Sequence, residues 1–520
     1  MASHLLRRAP SEAWVPLFKV QVFFSCVAFS IVVPSLAPYL DRLGAPQWVL
    51  GVAVAIYSVG EMVGSIVFGR AMVNAMRTDP ADGPRKCLVM TIVFGVVGSA
   101  LYVLADVAAK CNGGGTVAAT LVVLGRFLSG IWTGGKMVVE QSYIGEACLP
   151  QRVTELTSEV GVFAVLGFVA RPGVGPSIGA IFAGLDAPLL PGVLGSIFRL
   201  DGYTAPGYFM LIACTAMLGA SATYFRPADG YARPVAARAR LRVGGAKTPP
   251  SLAQNSEARP LHGEKAPIYG GLGQSPPPVP GGRRSSSLAA PKPNSVGLAA
   301  CLVCFGVHFY SFAIQETITT PYVAAAFGWS QRNIDGLFAG VSLLSLLTRA
   351  AVSVLLSKLA KCCDDVLLLA FSLLLGFAGS ALLLDAPLAA PLTPQRFLLG
   401  FSLITVAFPF GRTVSLAIFS KVLGDTPQGN WMGLMFVVGA VPRCLGPSWA
   451  LYALRLACDF VRTCPPGGAT YLEFGISGSL FLAAFAGVVR VRKSLRPAAA
   501  AQSDDATPRH AAEHDSDDSK

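Results

Sequence analysis

The chain is 520 residues long, 53% hydrophobic and 13% charged, with a mean hydropathy of +0.56. A soluble chain carries about 25% charged residues, so there is too little polar side chain here to coat a water-exposed surface. The formal net charge of +12 would suit nucleic acid, but the basic residues lie mostly in the segments between apolar runs, which argues against nucleic-acid binding.

In chain order, apolar runs of about 20 residues recur roughly twelve times. They cover 15–40, 47–69, 87–107, 117–139, 157–183, 206–226, 297–323, 333–357, 365–385, 392–420, 430–454 and 470–490. Each is expected to be a helix, because lipid offers no partner for open backbone groups. The first run is too long for a cleavable signal peptide and continues straight into the next span. The expected fold is therefore all-α and integral to the membrane, with twelve transmembrane helices in two six-helix bundles, 15–226 and 297–493. Residues 1–14 form a cytoplasmic N-terminus. Residues 227–296 are rich in Pro, Gly, Ser and Arg, with Pro276-Pro277-Pro278 and Arg283-Arg284. They cannot bury enough apolar surface to fold and read as a disordered cytoplasmic linker. Residues 494–520 read as a disordered acidic tail ending in Asp515, Asp517 and Asp518.

With the N-terminus in the cytoplasm, most of the 41 Lys and Arg fall on that side. They include Arg7, Arg8, Arg85, Lys86 and those from Arg490 to Arg496, while Arg42, Lys110 and Arg332 are among the few opposite. This positive-inside pattern puts both termini in the cytoplasm. The twelve cysteines show no metal-ligand spacing, and most read as small core residues. Cys458 and Cys464 fall on the non-cytoplasmic side six residues apart, where a disulfide is one option.

The two flanking halves repeat one another. Gly125-Arg126-Phe127-Leu128-Ser129-Gly130 parallels Gln395-Arg396-Phe397-Leu398-Leu399-Gly400. Arg171 before Gly175-Pro176 parallels Arg443 before Gly446-Pro447, and Phe29 to Tyr39 parallels Phe312 to Tyr322. Three matches in one order at a nearly constant offset indicate a duplicated bundle. Two such halves place a substrate site at the midplane between them.

These residues give the chain, over nearly all of 15–493, a pattern that resembles the major facilitator superfamily. Arg126-x-x-x-Gly130-x-x-x-Gly134 resembles its fourth-helix motif, and Gly167 through Gly175-Pro176-x-x-Gly179 its fifth-helix motif. Gly69-Arg70, followed by Gly83-Pro84-Arg85-Lys86, resembles its gating loop between helices two and three. Val73 stands where the family usually has Asp, which leaves a gating salt bridge on that acid unsupported. Glu316-Thr317-Ile318-Thr319-Thr320-Pro321, with Gly429-Asn430-Trp431-Met432-Gly433, is similar to the lysosomal branch associated with neuronal ceroid lipofuscinosis. The resemblance implies a transporter that works by alternating access on a small-molecule or ionic substrate. It also implies a monomer surrounded by membrane lipid, and a lysosome-like or vacuolar membrane rather than the plasma membrane.

Ionisable side chains inside hydrocarbon are costly and are functional candidates by default. Arg126, Arg171, Arg412 and Arg443 are the expected substrate-binding cations, since guanidinium forks suit a carboxylate or phosphate. A blander reading keeps Arg126 as a structural partner of carbonyls. Lys136 and Arg349 read as snorkelling to the headgroups. Glu316 is the candidate for proton coupling, with His308 two turns earlier as a relay partner or a satisfied core residue, and Glu61 as a further acid or the partner of a buried Arg. Gly175, Pro176, Gly446 and Pro447 are expected to bend helices. No phosphate-binding loop, His-Glu-x-x-His motif or Gly-x-Ser-x-Gly elbow occurs, so neither an enzyme nor a bound cofactor or metal is expected. The alternatives to a carrier are an anion channel on the same scaffold and a non-transporting membrane sensor.

Overall fold

The computed structural model describes residues 12–46, 48–112, 115–148, 150–173, 187–188, 199–201, 203–230, 293–330, 364–385, 392–424, 426–459 and 469–495, with part of 333–351. Among these residues eleven helices of 18 or more residues occur. They are α1 (Trp14–Arg42), α2 (Trp48–Thr78), α3 (Gly83–Asn112), α4 (Gly115–Ala147), α5 (Pro150–Gly173) and α6 (Ala205–Tyr224). After them come α7 (Ser295–Phe327), α8 (Asp365–Leu382), α9 (Pro394–Leu423), α10 (Gly429–Cys458) and α11 (Tyr471–Arg490). Nine of these, all but α1 and α5, are long and apolar enough to cross a membrane over their described residues. In the eighth expected span the described residues 333–334, 336–337, 340–341, 343–348 and 351 are helical. A two-residue antiparallel pair, β1 (Ala187–Pro188) with β2 (Arg199–Leu200), lies between α5 and α6 and was not foreseen by the all-α reading.

Local chemistry sets the helix ends. Asn294 accepts from the Val296 and Gly297 amides, Asp364 from Val366, and Thr393 from Arg396 just ahead of Pro394. Each satisfies donors that a helix start leaves open. Gly328 ends α7 in the left-handed region at φ 63°, where only glycine sits without strain. Helix α5 begins at Pro150, seven residues before the span read from hydropathy. Its first turns are rich in polar side chains, with Arg152 paired to Glu12 at 3.1 Å and also to Glu155. A window that counts apolar residues cannot see such turns.

Packing sorts the helices into two sets. In the first, α2 and α3 lie against α4, and α1 against α5 and α6; in the second, α8 lies against α9 and α11, and α7 against α9, α10 and α11. Phe18, Tyr143 and Phe225 meet edge-on or tilted in one core, and Phe305, Phe309 and Phe436 in the other. The sets meet chiefly along α2 and α10, and also where α5 reaches α9 and α4 reaches α10.

Glycine makes two of these contacts. A Cβ on Gly130 would lie 2.1 Å from the Tyr57 carbonyl oxygen, and one on Gly134 2.1 Å from that of Glu61. Between α2 and α10, a Cβ on Gly69 would lie 2.7 Å from the Gly429 oxygen, and one on Gly433 2.6 Å from the Ser65 oxygen. Both seams are backbone against backbone, which only small residues allow.

Candidate functional site

A cavity of about 230 Å³ lies between the two sets, walled by α1, α2, α4 and α5 from one and by α7, α9 and α10 from the other. Six ionisable side chains line it: Glu61, Lys136, Glu140, Glu316, Arg412 and Arg443. Among the described residues three are cationic and three acidic.

Two ion pairs stand among them. Glu61 in α2 accepts both carboxylate bonds from Arg443 Nη1 in α10, at 3.0 and 2.8 Å. Residues 382 apart in sequence thus form a bridge from one helix set to the other. Lys136 Nζ donates to Glu140 Oε1 and Oε2 at 3.2 and 3.0 Å, one turn along α4. Lys136 is 0% exposed, which corrects the expectation that it snorkels to the headgroups. With a carboxylate at i+4 its ammonium is satisfied where it stands. That spacing was visible in the sequence and was the available signal for the pair.

Arg412 and Glu316 face the cavity from α9 and α7. The Arg412 side chain follows Pro409 on α9, and its Nε has no hydrogen-bond partner. Glu316 on α7 is exposed to the cavity and stands within electrostatic reach of Arg443. Gln315 beside it donates from Nε2 to the Phe401 carbonyl and to Thr405 Oγ1, both at 3.0 Å. This neutral cavity group was missed in the sequence because only ionisable side chains in the spans are taken as candidates.

Other candidates lie elsewhere. The His308 ring contacts the Cys304 carbonyl through Nδ1 at 2.7 Å and packs edge-on against Phe481 at 5.3 Å, outside the cavity wall. Eight residues at about 100° each leave two side chains roughly 80° apart around a helix, so His308 turns towards α9 and α11 while Glu316 faces the cavity. Arg126 is buried in the first set, stacked 4.4 Å from the Tyr57 ring and donating from Nε to the Ala53 carbonyl at 3.4 Å. The Arg171 side chain, Gly175, Pro176 and Arg349 lie outside the described residues. Gly446 and Pro447 lie inside α10, which runs on through them to Cys458. Cys458 is disulfide-bonded, and Cys464 is outside the described residues.

Of the gating-loop residues, Gly69 is part of the α2–α10 seam and Arg70 is exposed. Arg85 pairs with Asp82 at 2.6 Å and Lys86 with Asp79 at 2.9 Å. The hydrogen bond from Lys86 holds the Asp79 carboxyl below its ordinary range. At the other end of α1, Arg42 pairs with Asp201 at 2.5 Å and Asp106 at 3.5 Å and lies over the Tyr203 ring. Burial works against the Asp201 carboxylate, but the Arg42 bond and the Thr204 and Tyr203 amides outweigh it and hold its pKa below the usual value.

The sequence matches the Major Facilitator Superfamily over residues 20–447. It is 24% identical over 496 residues to major facilitator superfamily domain-containing protein 8 of Xenopus laevis, covering 85% of this chain and 86% of the relative. Among solved structures, the human organic anion transporter MFSD10 (TETRAN) aligns with a TM-score of 0.58 at 17% identity, over 92% of this chain and all of that one. The transporter FucP in its outward conformation aligns with a TM-score of 0.61 at 13% identity, over 92% of this chain and 98% of its own. Apolar helices, the major facilitator fold and a family match over most of the length agree, and the chain belongs to the Major Facilitator Superfamily as a multi-pass integral membrane transporter.

Proposed function

We propose that the chain is a secondary active carrier that moves a small anionic solute together with a proton, by alternating access at the cavity between its helix sets. The carrying observation is the charge inventory of that cavity. Lys136 with Glu140, and Arg443 with Glu61, neutralise one another, so that among the described residues Arg412 and Glu316 set the balance. With Glu316 ionised the wall is neutral; with Glu316 protonated it carries one net positive charge, centred on a guanidinium whose Nε has no hydrogen-bond partner. An anion is then attracted when, and only when, the proton is aboard, which is the condition for symport. The fold likeness to MFSD10, an organic anion transporter, supports this reading by analogy alone.

In the same reading the bundles 15–226 and 297–493 rock against one another, 227–296 is a cytoplasmic linker and both termini are cytoplasmic. The membrane is lysosome-like or vacuolar, where a standing proton gradient supplies the driving force. Uptake into proteoliposomes across a panel of organic anions, with and without an imposed pH gradient, tests it. Saturable uptake that is accelerated by the gradient, and abolished by Arg412→Gln, is expected. Glu316→Gln is expected to retain exchange while losing gradient dependence. Gradient-driven uptake that survives Glu316→Gln unchanged would sink the coupling role.

A further inference from the structure

Away from the carrier cavity, a second and much smaller pocket of about 20 Å³ lies wholly inside the first helix set, walled by α1, α2, α3, α4 and α6. Arg126 and Trp132, both on α4, line it. Arg126 is 4% exposed and Trp132 1% exposed, and each keeps one nitrogen, Nη2 and Nε1 respectively, without a hydrogen-bond partner. Both atoms are obligate donors with no acceptor capacity. A buried guanidinium ordinarily pairs with a carboxylate, but Glu61, the acid whose field reaches Arg126, is held by both its oxygens on Arg443. Arg126 makes do with one carbonyl at 3.4 Å and the face of Tyr57.

We infer that this pocket is a resident binding site for a monatomic anion of the halide kind, held by Arg126 and Trp132. Three observations converge on that ligand. The two open donors mark an acceptor of hydrogen bonds, and the uncompensated cation marks a negative one. The volume, about that of one or two water-sized spheres, excludes carboxylates and phosphates. Tyr57 lines both this pocket and the carrier cavity, and its hydroxyl donates to Thr133 Oγ1 at 2.8 Å on the cavity side. The anion therefore sits one aromatic ring away from the Glu61–Arg443 bridge. It would fix the position of Tyr57 through Arg126 without entering the transport route.

The test is the melting temperature of the full-length chain in detergent, with sodium chloride titrated into sodium gluconate at constant ionic strength. A saturable rise is expected, because a ligand of the folded state stabilises it by mass action, and bromide should reproduce it. Trp132→Phe removes one N–H and keeps the ring, so the chloride midpoint should move up by about tenfold, the loss of one hydrogen bond to an ion. Arg126→Gln should abolish the rise; if that variant does not fold, Trp132→Phe still decides. A bromide-soaked crystal should carry an anomalous peak between the two side chains. Equal melting in chloride and gluconate, or the same chloride midpoint in Trp132→Phe as in the parent chain, would overturn the site and leave a pocket that holds water only.

Discussion

Helices α4 and α10 both carry charge into the middle of the protein, but they satisfy it in opposite ways. Every hydrogen bond and ring contact of Arg126 and Lys136 on α4 named above comes from α4 or α2, within the first helix set. On α10, Arg443 takes its carboxylate from α2, across the boundary between the sets. The Lys136–Glu140 pair on α4 can thus stay formed through any motion that keeps the first set intact. The Arg443–Glu61 pair on α10 forms only while the two sets stand in this relation. The first arrangement specifies a core; the second senses a conformation.

The largest effect should come from breaking the α4 pair. Glu140→Ala leaves Lys136 buried without its carboxylate, at a cost of about 3–5 kcal/mol, read as a collapse of the melting temperature or of folded yield. Removing both charges in Lys136→Met with Glu140→Leu should restore stability to the parental level or above it. Should the double variant be as damaged as the single one, the pair has a role that packing cannot replace.

Next is Arg443→Ala, which strands Glu61 in the same way, but in a pair whose Arg side chain is already 26% exposed where Lys136 is 0%. A loss of about 1–3 kcal/mol is expected, with a transport defect out of proportion to it. Equal effects on stability and on uptake would erase the distinction between the helices.

Arg396→Ala, at the α9 position that parallels Arg126, removes donors to the Leu382 and Leu384 carbonyls at the end of α8. About 1–2 kcal/mol is expected, with no dependence on chloride, in contrast to Arg126. The smallest effect concerns pH. The folded Asp201 carboxyl titrates below its ordinary value, so the Arg42 clasp contributes fully at neutral pH and fades as pH falls through that lowered value. The melting-temperature gap between the parent chain and Asp201→Asn should be widest at neutral pH and close in acid. A gap that widens in acid would reverse the sign.

Much of the fold was legible because hydrocarbon imposes one rule on every span. Ten of the twelve expected runs coincide with described helices to within a few residues at one end or both, even where, as at Thr78 and Ala147, the helix continues past the apolar run. Pro150 escaped because its first turns are polar. The site was legible as a set of suspects rather than as a geometry. Glu61 was flagged as the partner of a buried Arg, but nothing along the chain joins it to Arg443. Lys136 and Glu140 stood at pairing distance and were read by depth alone. His308 and Glu316 were put on one face by counting turns, and the angle left over after two turns separates them.

The α2–α10 seam has a mechanical consequence. Where Gly69, Gly429 and Gly433 bring two backbones together, the contacts are mainly main chain on main chain, with Met72 and Val73 set beside Gly429. Ordinary helix pairs must unseat many knobs from holes before they can slide, whereas this pair has few to unseat. Such a joint behaves as a bearing: it holds the helices at a fixed distance and resists sliding or rolling only weakly. A single methyl group added at Gly69 or Gly433 would act as grit, leaving the protein folded in one posture and slow to reach the other.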